Sequence, residues 1–150
     1  MQEVQWIRIT AAGTIEEIDM PVQYTDGLQP EYNAIGGGCR TVELLSAANE
    51  HGAELWFDED GIAHGQRPNM LASFIAYQMG IRLQHGDFLK GNVLIGNTVD
   101  PGLSTECRGA PHHATMTQIL FWQAEMYNND NIREMLEVSA MLAAQGGNAG

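Results

Sequence analysis

Basic residues are scarce in this chain. Seven lysines and arginines face nineteen acids, for a formal net charge of −12, and Lys90 is the single lysine. A surface this negative repels phosphate backbones, which argues against direct nucleic-acid binding through an electrostatic footprint. The acids are scattered rather than blocked, the pattern of a solubilising surface; mimicry of nucleic-acid charge is the alternative. Cysteine is sparse as well, and Cys39 with Cys107 cannot make a disulfide framework. No apolar run approaches the ~20 residues of a membrane span. The opening MQEVQWIRIT has neither the basic nor the long apolar region of a signal peptide, so a reducing cytoplasm is the expected compartment.

What is present suits one globular domain: 150 residues, 44% of them apolar. Residues 5–10 alternate, Ile7 and Ile9 on one face against Trp6 and Arg8, and residues 14–20 answer them as a hairpin. Residues 21–38 hold two prolines and several glycines and read as a connecting loop with a helical turn at most. Strands follow at 40–45 and 54–58. The acidic turn Asp58-Glu59-Asp60-Gly61 then leads into a short returning strand at Ile62 and Ala63. Asn69 after Pro68 caps a helix that puts Leu71, Phe74 and Ile75 on one face and stops at Gly80. The apolar run of residues 92–99 suits a buried central strand. Thr115 and Gln118 form a capping box for a helix to about Tyr127, and Asn129 or Asp130 opens another, with an Arg133–Glu137 pair on its exposed side. The sum is an α+β domain over residues 1–145, an antiparallel sheet of about five strands with helices packed on one face, and a frayed tail at 146–150.

Chemical motifs are few. Gly36-Gly37-Gly38 before Arg40 lacks the lysine and the helix of a phosphate-cradling loop. Cys39 has no local base to make it a nucleophile, and reads as a buried, inert thiol. Cys107, His112 and His113, with distant Cys39 and His64, have some metal-ligand character but not the paired spacing of a zinc site, so no metal and no cofactor is expected. Asp58, Glu59 and Asp60 begin like a calcium loop, yet the remaining ligands are missing. No Gly-x-Ser-x-Gly elbow occurs. Paired carboxylates for glycosidic chemistry stay open, since their spacing is spatial.

One segment carries a resemblance. Trp56-Phe57-Asp58-Glu59-Asp60-Gly61, then Gly65-Gln66-Arg67-Pro68-Asn69 and a helix, then Gly91-Asn92-Val93-Leu94-Ile95-Gly96, resembles an uncharacterised family of small domains from bacteriophages and conjugative elements. These domains also occur as modules of large polyvalent proteins injected with incoming DNA. The likeness covers roughly residues 4–98, including Thr41-Val42-Glu43-Leu44 after a Gly-Gly step, and leaves residues 100–145 as a helical addition. The family has no assigned catalytic residues, so the resemblance implies none here.

The resulting expectation is a non-enzymatic, phage-derived protein of the host cytoplasm that binds and modulates a host or defence-system protein. Its candidate surface is Gly65, Arg67 and Asn69 with Arg40. Trp56, Phe74 and Tyr77 are either anchors there or core. A small-ligand binder that sequesters a nucleotide signal is the alternative, using the amides of residues 36–38 with Arg40 and Arg67. An acidic DNA-mimic anti-restriction protein is another. Apolar residues spread around more than one face of the helix from residue 115, so a two-fold homodimer built partly from Phe121, Trp122 and Met126 is expected, with a host protein on those side chains as the alternative.

Overall fold

The computed structural model describes residues 2–46, 53–81, 83, 88–99, 106–135, 137–138 and 141. β1 (Glu3–Ile9) and β2 (Ile15–Pro21) form the N-terminal hairpin, with Trp6 opposite Ile18 and Arg8 opposite Glu16. β3 (Val42–Ser46) pairs with β4 (Glu54–Asp58), and β5 (Val93–Val99) lies between β4 and β1. The order is β2-β1-β5-β4-β3, antiparallel throughout. A three-residue strand, β6 (Cys107–Gly109), pairs with the last residues of β5, beyond those that pair with β1 and β4. The fold is α+β, as the alternating pattern implies.

Strand alternation sends two sets of side chains to opposite faces. Ile7, Ile9, Leu55, Phe57, Val93 and Ile95 face α2 (Met70–Gln78) and α3 (His113–Asn128). Residues 71–76 of α2 are all buried, as suits a helix held between the sheet and α3. Trp6, Met20, Trp56 and Leu94 face the other way, where α1 (Gln29–Ile35) lays Ile35 over them with Tyr32 and Ala34 alongside. Helices therefore cover both faces: α2 and α3 take one, and α1 takes part of the other. At the centre of the second face Gly96 lies against the Trp6 indole, and a methyl group there would land inside the ring.

Several local expectations change. The segment read as a loop contains α1, whose first turn holds Pro30 where its missing N–H costs nothing. Residues 59–65 are a run of turns with no returning strand, because β3 and β5 already occupy both sides of β4. Helix α3 starts before the expected capping box, with His112 as its cap accepting from the amide of Ala114; Thr115 is buried inside the first turn. Asn129 does cap the next helical stretch, accepting from the amide of Ile132 at 3.1 Å, and Arg133 pairs with Asp130 rather than Glu137. The tail at 146–150 lies outside the described residues.

Candidate functional site

The turn after β4 is organised by a buried carboxylate. Asp58 Oδ1 accepts from the amide of Asp60 at 2.9 Å, and Asp58 Oδ2 meets His64 Nδ1 at 2.6 Å. Thr41 Oγ1 donates to Asp60 Oδ2 across the β3–β4 hairpin. The acids that begin like a calcium loop thus hold a turn together, and Asp58 is a core residue, not a solvated tip. The imidazole of His64 is partly exposed and closes the turn at its surface. The nearby thiol of Cys39 does not complete a catalytic pair. It donates to Thr41 O, and burial, with Asp58 adding to it, pushes the thiol up to about 11, so it stays protonated.

The glycine loop and this turn are neighbours. The backbone of Gly36, Gly37 and Gly38 runs through positive φ, and the Gln66 amide donates to Gly37 O at 3.1 Å. The same Gln66 side chain packs against both Gly37 and Gly91, where a Cβ would collide with it. Arg40, Gly65 and Arg67 are exposed around this end of the sheet. Asn69 is not. Its side chain is fully buried, donating to Ile9 O at 2.9 Å and Gly91 O at 2.8 Å while accepting from the amide of Ala72. It joins β1, the residues before β5 and α2, and so cannot touch a partner. Trp56 and Phe74 are likewise core, whereas Tyr77 is exposed.

No local pattern marks the most heavily bonded side chain among the described residues. Arg108 of β6 is buried and forks onto buried Glu31 of α1, Nε to Oε2 at 2.9 Å and Nη2 to Oε1 at 2.6 Å. Its remaining N–H groups donate to the carbonyls of Pro21, Gln23 and Gly27, and its guanidinium lies 3.9 Å from the centre of the Tyr24 ring. A planar fork of five donors suits this cluster of acceptors. Its job is mechanical: it straps the 21–27 segment and α1 to β6.

The C-terminal helices divide the residues expected at an interface. Met126 is 3% exposed and Trp122 packs on the same core, so both belong to the inner side of α3. Phe121 is 65% exposed and Leu120 47%. With Thr117, Ala124 and Tyr127 they occupy positions three and four apart, a stripe along the outer side of the helix. Tyr127 and Gln123 also tie the helix to the β1–β2 turn by donating to Gly13 O. In the following stretch Met135, Val138 and Met141 are exposed as well. Among the described residues no group of three or more histidines, cysteines or acids comes close enough to hold a metal ion, and no helix is long and apolar enough to cross a membrane. No family model, curated protein or solved structure matches the chain.

Proposed function

We propose that this chain is a non-enzymatic protein of bacteriophage or conjugative-element type that binds a host or defence-system protein in the cytoplasm. Its docking surface is the outer side of α3 together with the helical residues after it. One observation carries the reading: of the large apolar side chains that stand exposed, Leu120, Phe121, Tyr127, Met135, Val138 and Met141 concentrate in these helices. Leu44, Ile62, Tyr77 and Val99 are exposed as well, each in a different segment of the chain. Burying the exposed part of Leu120 or Phe121 against a partner is worth about 1–2 kcal/mol each, and grouped exposed apolar residues mark such surfaces. Glu125, Glu134 and Glu137 are exposed around them. With a net charge of −12, they steer toward a partner with a basic rim and repel a second copy of the chain.

A two-fold homodimer through Phe121 is the competing use of the same stripe. Light scattering and affinity capture separate the two. The wild-type chain should run at its monomer mass of 16.4 kDa and capture a defined protein from host lysate. Phe121→Glu should keep its melting temperature and lose that protein. Capture unaffected by Phe121→Glu, or a wild-type mass twice the monomer that the substitution halves, counts against the reading.

A further inference from the structure

A second surface lies at the opposite side of the sheet, on β3. This strand is last in the order β2-β1-β5-β4-β3, and among the described residues none pairs with its outer side. The amide of Glu59 donates to Thr41 O at 3.1 Å, which fixes the alternation: Thr41, Glu43 and Leu45 bond to β4. Val42, Leu44 and Ser46 therefore direct their N–H and C=O groups away from the sheet. The other edge is defended. β2 carries Glu16, Glu17 and Asp19 and ends in Pro21, devices that discourage strand addition. β3, with the sequence VELLS, has one acid and no proline.

The side of β3 that faces α2 borders a cleft of about 420 Å³, with Leu45, Phe57, Ile62 and Phe88 on its apolar walls. Among the described residues Glu43 and Glu59 stand on the lining with one cation, Lys90; the Asp58 carboxylate there is already engaged by His64. An open strand edge beside an apolar cleft is the arrangement by which a sheet adds a peptide strand, main-chain bonds holding it and a pocket selecting its side chain. The charge decides the occupant. A second copy would bring its own Glu43 to the same edge and add like charge to a chain of −12, whereas a basic strand meets both carboxylates.

We propose that the outer edge of β3 takes an extended peptide that places one large apolar side chain in the cleft and a flanking lysine or arginine against Glu43 and Glu59. The site is independent of the α3 stripe. Side chains two apart in a strand share a face, so the peptide reads as a cation and an apolar residue separated by one position.

The probe is a fluorescein-labelled seven-residue peptide alternating threonine with lysine, leucine and lysine, followed by anisotropy on the full chain. Saturable binding with a Kd near or below about 100 μM is expected. Replacing both lysines with glutamate should weaken it by about tenfold or more, and Glu43→Lys in the protein should reverse that preference. N-methylating the peptide amides that face β3 should abolish binding whether or not Leu44→Pro, which removes an outward N–H, still folds. Binding indifferent to Glu43→Lys or to N-methylation, or none below about 1 mM, overturns the proposal. Self-association of the wild-type chain that Glu43→Lys alters would assign the edge to a second copy and overturn it as well. Phe121→Glu should leave peptide binding unchanged, which keeps this test separate from that of the α3 stripe.

Discussion

Substitution of Arg108 by methionine should be among the most damaging single changes in this chain. The side chain is buried to the last atom, as is the Glu31 carboxylate it holds, so the pair is not screened by salt. Methionine is of comparable length and fills much of the volume, so the loss is electrostatic. A buried carboxylate left without its partner costs about 3–5 kcal/mol. The carbonyls of Pro21, Gln23 and Gly27 lose their donors too, at about 1–3 kcal/mol for each that stays dry. Water reaching the site reduces that second part, so a total of about 4–6 kcal/mol is expected. Against a typical domain stability of about 5–15 kcal/mol this is a large fraction, and it should lower Tm by roughly 10–20 °C. Adding Glu31→Leu removes the stranded charge but not the need of the three carbonyls. The double variant should therefore be more stable than Arg108→Met alone, with a coupling of about 2 kcal/mol or more in a urea-melt cycle. A single-variant loss under about 1 kcal/mol, or a cycle that is additive, would refute the strap.

Three further outcomes follow from polar groups that are buried or half-buried. Asn69→Asp keeps a good cap for α2 but sets a carboxylate against the carbonyls of Ile9 and Gly91, so chemical denaturation should find it less stable than Asn69→Ala; the reverse order would reduce Asn69 to a cap alone. Trp6 donates to Gly109 O whereas the buried indole N–H of Trp56 meets no acceptor among the described residues, so Trp6→Phe should cost more than Trp56→Phe, by about 1 kcal/mol, and equal losses would contradict the assignment. Burial raises the pKa of Glu54, with the hydroxyl of Thr98 partly opposing it. A raised carboxyl favours the native state below its unfolded value and loses that advantage as pH rises through the folded one. Glu54→Gln should therefore stabilise the chain at pH 7, with the gain vanishing below the ordinary carboxylate range; a gain independent of pH would count against this.

Much of the sheet was legible because its signals are local. Ile7, Ile9 and Trp6 alternate over adjacent positions, the run at 93–95 is apolar on both faces, and Asn69 with Gly80 brackets α2. β6 escaped notice because three residues carry no periodicity, and α1 because its glycine- and proline-rich surroundings resemble a loop. The strap was invisible for another reason: Arg108 and Glu31 are 77 positions apart, and nothing in either neighbourhood marks the pairing. The cap chemistry of Asn69 was readable, but its two distant carbonyls were not, and they turn a candidate surface residue into a core one. On α3 the apolar residues exceed one stripe. Which belonged inside depended on the placement of α2, and that moved Met126 and Trp122 inward while leaving Phe121 and Leu120 outside.

The docking claim is tested most directly by methionine oxidation read by mass spectrometry, in the free chain and in the captured complex. Oxidant reaches exposed thioethers, so Met135 should react in the free chain while Met20 and Met126, both buried, stay intact. In the complex Met135 should become protected, and Met20 and Met126 should not change. A captured partner that leaves Met135 as reactive as before would contradict the account and move the interface elsewhere on the molecule.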